Sequence, residues 1–570
     1  MRYLVLATDY DGTLASHGTV SDSTLAVLQR LVTSGRKLVL VTGRHLPDLK
    51  NVFPALDMFD QVVAENGALL YQPSSREEKL LCEAPPKAFL DLLRDRGVPF
   101  TPGRAVVATW EPHQDAVLQA IKDLGLELQV IFNKGAVMVL PTGINKATGL
   151  KVALDRLCIS PHNTVGVGDA ENDHALLAAC ECGVAVDNAL PFLKERADLV
   201  MKGRSSAGVV ELCEHLLADD LAEFDDRVLR HSISLGQRLD NGGEVRLSPS
   251  RKSILVAGPS ASGKSTAVAG LVEQLAAQEY QFCLIDPEGD YENFAGALTF
   301  GSSKEAPDLR AVSKALEAPS RSVVVSLVAI PLADRPHYFA GLLPRLQDLR
   351  ARTARPHWLI IDEAHHMLPS SWSPASTTMP QALEGAILIT VHPDHVSPAA
   401  LNFVNLIVAI GKQPGETISA FARGLRISAP KVPSLELASG EALVWFRDRR
   451  EAPVHVRTVP GQQERRRHLR QYAEGEMLPE ESFYFRGPDN KLNLRAQNLM
   501  IFQQLADGVD DATWLYHLRK GDYSRWFRSK VKDEDLAEEA AGIEQDQGIS
   551  AADSRQKIKE AIQNRYTAAV

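Results

Sequence analysis

Short apolar runs that end in Gly, Asp or Thr punctuate the first 220 residues. They are YLVLA from Tyr3, KLVLVTG from Lys37, QVVAENG from Gln61 and TVGVGD from Thr164. Runs with no polar alternation predict strands buried on both faces, and the helical stretches between them predict crossovers, the pattern of a parallel α/β sheet. Between about 71 and 140 the pattern changes. Helical AFLDLLRDRG and DAVLQAIKDLG alternate with strand-like AVVATW, ELQVIFN and AVMVLP, which predicts a small α+β insert lying over the first sheet as a cap. From His231 a second α/β block offers six more buried-strand candidates: SILVAG, QFCLID, SVVVSLV, HWLIID, AILITVH and NLIVAIG. The acidic helical stretch 211–230 is expected to bridge the blocks. Beyond Gln462 the chain reads as charged and amphipathic helices. The expected class is therefore α/β multidomain, with core segments 1–70 and 141–220, a cap at 71–140, a second block at 231–460 and a helical C-terminal domain at 462–570.

Composition narrows the partners. A chain of 570 residues exceeds one hydrophobic core and suggests three or four domains. The net charge of -10 argues against bulk attraction to nucleic acid, although a local basic channel remains compatible with it. The basic runs at 447–450 and 465–467 read first as solvated faces. No apolar stretch approaches the ~18 residues that span a bilayer, and the N-terminal apolar run is too short for a signal peptide. The 6 Cys are scattered among apolar neighbours, as reduced core thiols would be, and only Cys180 and Cys182 are close enough to suggest a metal pair. The expected compartment is the cytoplasm, with no membrane partner.

Two sets of residues carry phosphate chemistry. The first begins at DYDGTL, residues 9–14, after the strand YLVLAT. Asp9 and Asp11 stand two residues apart at a strand end, where one carboxylate can attack phosphorus and the other can serve as acid and base. Cations must offset their repulsion for a phosphate. Thr42, ending KLVLVT, offers a hydroxyl and following amides. Lys146 in GINKATGL offers a point charge. Asp169 and Asp173 in GDAENDHAL offer hard oxygens that suit Mg2+, together with Asp9 and Asp11. These residues, in this order, resemble the haloacid dehalogenase superfamily of phosphatases, over residues 1–220. The resemblance implies a Rossmannoid core, Asp9 as nucleophile, Asp11 as acid/base, Thr42 and Lys146 on phosphate, and Asp169 and Asp173 as metal residues. Asn172 would also face the phosphate. The ENG at 65–67 and an insert between Thr42 and Lys146 resemble the Cof-type, sugar-phosphatase branch. Arg104, Trp110 and His113 are candidates for a substrate pocket in the insert, although each reads first as a surface or core residue.

The second set is GPSASGKS, residues 258–265, between the strand SILVAG and a helical stretch. That context marks a P-loop, whose amides and helix N-terminus cradle phosphates. Gly258, Ser260, Ala261, Ser262, Gly263, Lys264, Ser265 and Thr266 are the expected ATP-binding residues, with Lys264 on the β/γ-phosphates and Ser265 on Mg2+. Asp362 and Glu363 follow the strand HWLII. Asp362 is expected to hold Mg2+ and Glu363 to polarise the attacking water. IDPEGDY, IDEAHHMLP and ILITVHPDHVSPAALNFVNLIVAIG resemble the HerA branch of the HerA–FtsK ATPases, over 231–460. That resemblance implies a RecA-like domain in a ring-forming homo-oligomer, up to a hexamer, with hydrolysis at subunit interfaces and DNA translocation in many members. One position departs: the γ-phosphate sensor, usually glutamine, is His392. Arg423 and Arg426 are candidate arginine fingers. The barrel that usually precedes such a domain is replaced by the phosphatase-like segment.

The C-terminal stretch WLYHLRKGDYSRWFR mixes aromatic and basic residues. It reads first as a helical core with snorkelling arginines and second as a nucleic-acid or anion surface. His517 and Asp522 have no matched partners in the sequence. The expected function is a bifunctional hydrolase: a Mg2+-dependent phosphomonoesterase, acting on a sugar phosphate or nucleotide, organised by a ring-forming ATPase. Two alternatives stand beside it, a DNA or RNA translocase with an end-processing phosphatase and an ATP-sensing switch without motor activity.

Overall fold

The computed structural model describes residues 1–248, 252–259, 262–292, 294–371, 383–432, 435–449, 451–461, 477, 479, 481–531, 533–546 and 548–566. The chain divides into two units. One comprises Met1–Lys264 and Gln274–Val459, the other Ser265–Glu273 and Pro460–Val570.

The first unit is built on two large sheets. The N-terminal sheet has eight strands in the order Leu199–Val200, Cys182–Ala185, Thr164–Gly168, Val5–Thr8, Lys37–Val41, Gln61–Ala64, Leu69–Gln72, Glu77–Leu80. Pairing is parallel as far as Gln61–Ala64, and a hairpin closes the edge antiparallel. Because Val5–Thr8 is central, every side chain of VLAT is buried, as its unbroken apolar pattern predicts. Helices cover the sheet. Ser21 caps Asp22–Thr33 by accepting Thr24 N–H, and Val27, Leu28 and Leu31 form the buried stripe. Helix Lys146–Leu157 starts with a capping box between Asn145 and Thr148. It sits so close to the 65–67 turn that a Cβ on Gly67 would lie 2.0 Å from Asn145 O, and Gly67 also has φ +105°.

The insert has its own four-stranded antiparallel sheet, ordered Thr101–Pro102, Val107–Trp110, Ala136–Pro141, Leu128–Asn133, with helices Lys87–Asp95 and Gln114–Asp123. It begins later than the expected residue 71. Leu69–Gln72 and Glu77–Leu80 belong to the core sheet, where the exposed, charged EEKL strand suits an edge. The expected bridging helix at 211–230 is also corrected. Helix Ser206–Asp219 buries Val209, Leu212, Cys213 and Leu216 in the core, and Asp220 beyond it takes the Arg36 guanidinium at 2.9 Å. Cys180, Cys182, Cys213 and Cys283 are buried as expected, whereas Cys158 is exposed.

The second sheet has eleven strands. Its parallel part runs Leu406–Ile410, Ile254–Ala257, Ala386–Thr390, Trp358–Ile361, Phe282–Asp286, Ser322–Ser326, Ala297–Phe300. The six strand candidates all lie here. Five further strands escaped the apolar pattern: Ala297–Phe300 and four antiparallel ones, Glu441–Phe446, Val454–Thr458, Ile233–Arg238 and Glu244–Leu247. Most of these alternate polar and apolar residues because one face meets solvent.

In the second unit, a hairpin of Phe483–Phe485 with Leu494–Ala496 and helices from Leu499–Gly508 to Ala551–Tyr566 enclose an aromatic core. Trp514, Tyr523, Trp526 and Phe527 are buried with Phe483, Phe485 and Phe502, while Arg519, Lys520, Arg525 and Arg528 are exposed. The aromatic and basic interleaving is thus a core with a solvated rim. His517 and Asp522 pair with each other, Nδ1 to Oδ2 at 2.8 Å, and His517 Nε2 accepts Arg486 N–H at 3.0 Å. The charged helix expected at 464–476 lies outside the described residues.

Candidate functional sites

The first site forms where strands Val5–Thr8, Lys37–Val41 and Thr164–Gly168 end side by side. Parallel pairing brings Asp9, Thr42 and Asp169 to one edge. Asp9, Asp169 and Asp173 present carboxylate oxygens within 4.8 Å of one another, all buried. Lys146, at the start of its helix and 1% exposed, lies 2.5 Å from Asp9 Oδ1 and 2.6 Å from Asp173 Oδ1. Burial and then Asp173 push the Asp9 carboxyl far above the usual range, against the pull of Lys146. The same two aspartates hold the Lys146 ammonium well above an ordinary lysine although burial opposes it. Asp173 Oδ2 accepts the N–H groups of Asp169 and Ala170, both at 2.9 Å. Both its oxygens are therefore engaged, which suits positioning Lys146 and the Asp169 loop. Asp169 is buried as well, and both its oxygens are engaged. Its oxygens meet Thr13 Oγ1 at 3.2 Å, Asn188 Nδ2 at 3.1 Å and Lys134 Nζ at 2.5 Å.

The Asp11 carboxylate stands apart from this group. Arg44 holds it in a two-point fork, Nε to Oδ2 at 2.6 Å and Nη2 to Oδ1 at 2.7 Å. Thr42 Oγ1 accepts Arg44 N–H at 3.1 Å, and Asn172 Nδ2 donates to Asn66 Oδ1 at 3.0 Å. Residues missed in the sequence are Arg44, Lys134, Asn188 and Asn66. Lys134 could not be found because its insert turn reaches the site only through folding. Glu65, in the ENG turn, ties insert to core: its buried carboxylate accepts the N–H groups of Arg104, Ala105 and Val106 at 3.0, 2.9 and 3.2 Å. Of the pocket candidates, Arg104 pairs with Glu78 at 2.7 Å, Trp110 is 65% exposed, and His113 precedes helix Gln114–Asp123. None bonds to the carboxylate cluster.

The second site sits at the corresponding end of the larger sheet. A Cβ on Gly258 would lie 2.2 Å from Ile410 O, so only glycine lets the loop start against that strand. Gly263 has φ +95° and leads into helix Lys264–Ala277, whose first turn carries Ser265 and Thr266. Ser260 and Ala261 lie outside the described residues. Ser262 Oγ is buried with no hydrogen-bond partner, an orphan that suits an anion's oxygen. Lys264 Nζ donates to Pro259 O at 2.9 Å, and burial lowers its pKa against the charges of Glu363, Asp362 and Glu288. Asp362 follows strand Trp358–Ile361. Burial, then Glu363, pushes its carboxyl well above the usual range. Glu363 has φ +43° and a buried Oε2 without a hydrogen-bond partner, and burial raises its pKa too. Asp286, in the IDPEGDY segment, folds its loop by accepting four backbone N–H groups, from Glu288 to Tyr291, at 2.7–3.3 Å. His392 N–H donates to Thr390 Oγ1 at 3.1 Å, which lies 3.0 Å from His365 Nδ1. Arg423 is exposed and 3.3 Å from Asp394, and exposed Arg426 caps its helix with φ +56°.

Between the two sheets of this unit runs a buried polar joint that sequence reading missed. Glu181 takes Arg2 and His162 Nδ1, the latter at 2.6 Å, and accepts the Tyr280 hydroxyl at 2.8 Å. The His162 ring stacks on Tyr280 at 3.8 Å, and its Nε2 lies 2.7 Å from Gln278 O. His357 Nε2 meets Asn163 Oδ1 at 3.2 Å, and Arg355 donates to Cys158 O at 3.0 Å. These residues stand where strands begin. Asn163 precedes Thr164–Gly168, Gln281 precedes Phe282–Asp286, and His357 precedes Trp358–Ile361. Asp169, Asp286 and Asp362 stand at the opposite ends, about 16–20 Å away at ~3.3 Å per residue.

Comparison with known proteins agrees with this geometry. Residues 6–101 and 100–212 match the haloacid dehalogenase-like hydrolase family, and 248–404 match the AAA domain family. A phosphoglycolate phosphatase of Halorubrum lacusprofundi is 30% identical over 207 residues, 34% of this chain and 89% of that protein. Phosphoglycolate phosphatase 2 of Saccharolobus solfataricus is 28% identical over 229 residues, 39% of this chain and 96% of that protein. A haloacid dehalogenase-like hydrolase structure from Bacteroides thetaiotaomicron shares 19% identity with a TM-score of 0.34, covering 38% of this chain and 99% of that one. Through residues 6–212 the chain belongs to the haloacid dehalogenase-like hydrolases. It is a phosphatase joined on one polypeptide to an ATPase. Among the described residues no helix is long and apolar enough to cross a membrane.

Proposed function

We propose that the N-terminal site is a phosphomonoesterase working through an aspartyl phosphate, and that the ATPase governs it. The observation that carries the first part is Lys146, buried and clamped between Asp9 and Asp173 beside Asp169. Asp9 attacks phosphorus. Lys146 offsets charge on Asp9 and on the transferred group, aided by Thr42 and the amides that follow it. Arg44 holds Asp11 beside the strand end, from which it donates a proton to the leaving oxygen and then takes one from water. Asp9 and Asp169 fit Mg2+, being buried hard oxygens in excess of local cations, and the ion would offset phosphate charge when bound. Asp173 positions Lys146 and the Asp169 loop.

The relatives' names favour a short anionic phosphomonoester such as 2-phosphoglycolate, with Lys134 of the insert, half-exposed beside Asp169, the group to meet its free carboxylate. In the second site Ser262, Lys264 and Ser265 hold ATP phosphates, Asp362 and Ser265 hold Mg2+, and Glu363 orients water. The motifs quoted for the HerA branch support a ring-forming homo-oligomer. His392 in the sensor position favours slow hydrolysis, hence an ATP-dependent organiser of the phosphatase rather than a fast nucleic-acid motor. The buried joint supports coupling, since the strands that carry both sets of carboxylates start from it.

The test is phosphate release from 2-phosphoglycolate and from an aryl phosphate, with and without ATP. Asp9→Asn should abolish release, and Lys264→Ala should remove only the ATP response. Unchanged release in Asp9→Asn refutes the phosphatase assignment. An unchanged ATP response in Lys264→Ala, or no response in the native protein, refutes the coupling.

A further inference from the structure

Four histidines gather in the ATPase half, two of them against Glu363, more than ATP hydrolysis employs. Glu363, His365 and His366 offer ligand atoms that all lie within 4.8 Å of one another. His392 and His395 extend the group: ring centroids are 4.0 Å apart for His365–His366, 5.8 Å for His365–His392 and 4.8 Å for His392–His395. Two imidazoles on a tetrahedral ion at ~2.0–2.1 Å would have centroids about 5 Å apart, so modest ring rotations suffice. Thr390 ties the two loops through His365 and His392. Glu363 Oε2 is buried, makes no hydrogen bond and faces the group, with His365 Nδ1 3.3 Å away. His392 and His395 are exposed, leaving a route in from solvent.

A second group, His162, Glu181 and His231, is as compact but differs in chemistry. Its carboxylate is already taken by Arg2, Tyr280 and His162, so an ion there would have to displace a buried ion pair. Among the described residues no Lys or Arg forms a salt bridge with Glu363; the His365 ring lies against it and Lys264 acts on it only through longer-range charge.

We infer that Glu363, His365 and His366, with His395 or His392 completing the set, form a site for a borderline divalent transition ion of the Zn2+ class, and that its occupation halts ATP hydrolysis. Imidazole donors select such ions over Mg2+. The bound ion takes the carboxylate that orients water, so hydrolysis stops while ATP can still bind. This second half rests on the role proposed for Glu363. The phosphatase site offers three carboxylates and no imidazole, so it discriminates in the opposite sense.

The test uses the full chain with Co2+ as the optical probe, in saturating Mg2+ and in the Asp9→Asn background, which takes one carboxylate from the competing Asp9, Asp169 and Asp173 cluster. Visible d–d absorption of a low-symmetry Co2+ site should appear and saturate. His366→Ala should weaken Co2+ binding at least tenfold, and the double variant His392→Ala/His395→Ala, which lacks both rings able to complete the set, should do the same. In the native background, Zn2+ should inhibit ATP hydrolysis, with a midpoint raised at least tenfold in His366→Ala. No band, or equal affinity in the double variant, overturns the site. A band weakened in the variants together with Zn2+-indifferent hydrolysis overturns the halting of hydrolysis and, with it, the role of Glu363.

Discussion

Replacing Glu181 by Gln tests the joint directly. Burial alone would raise this carboxyl, but Arg2 and His162 outweigh it and lower its pKa from 4.5 to about 2. A depressed folded pKa means that the unfolded chain binds the proton more readily, so Glu181 stabilises the fold above its unfolded value and ceases to do so as pH falls toward 2. Lowering the carboxyl from 4.5 to about 2, at about 1.36 kcal/mol per tenfold change in proton affinity, is worth about 3 kcal/mol at neutral pH. By the same linkage about half of that remains at pH 3. Gln keeps the shape and a hydrogen-bonding oxygen but leaves Arg2 with only Asp225, 3.4 Å away. A chain of this size need not unfold in one step. The measurement is therefore denaturant-dependent hydrogen exchange of peptides covering strands Thr164–Gly168 and Phe282–Asp286, at pH 7 and pH 3. Both should lose protection together, by about 3 kcal/mol at pH 7 and about half as much at pH 3. A variant within ~0.5 kcal/mol of the native protein at pH 7, the scatter of an ordinary surface change, would refute the reasoning. So would a deficit that does not shrink at pH 3.

Other outcomes follow from the two sites. Lys146→Met leaves Asp9 and Asp173 facing each other without a cation and should cut phosphate release by about 10²–10³, the usual cost of losing a donor to developing charge; a loss under tenfold in steady-state assays would count against its role. His392→Gln should speed single-turnover ATP hydrolysis several-fold, and an equal or slower rate would remove the argument for a slowed sensor. Glu65→Ala strips the acceptor from three insert amides, a cost of about 1–3 kcal/mol for buried donors left unpaired. It should loosen the 103–106 segment in proteolysis and raise KM for small substrates more than it lowers kcat.

Much of both sites was legible because strand-end chemistry is local. An apolar run followed by Asp-x-Asp-Gly or by the P-loop glycines states both the strand and the functional turn within a dozen residues. The six central strands of the larger sheet were visible for the same reason, since burial on both faces removes polar alternation. Edge strands such as Glu77–Leu80 and Glu244–Leu247 were not, because their charged residues resemble loops until a neighbour pairs with them. The pairing of Asp11 with Arg44, thirty-three residues on, was not legible, because it forms only in the fold.

By itself the sequence determined the two chemistries, the order of the halves and the residues at the ends of their strands, because these depend on short-range backbone geometry and residue type. Only tertiary structure decided that Lys134 reaches Asp169, that Glu65 tethers the insert, and that Arg2, His162, Glu181, Tyr280 and His357 meet in one buried joint. Those contacts join positions far apart along the chain. Their partners are selected by packing and by the cost of burying a charge unpaired, and neither leaves a spacing in the sequence.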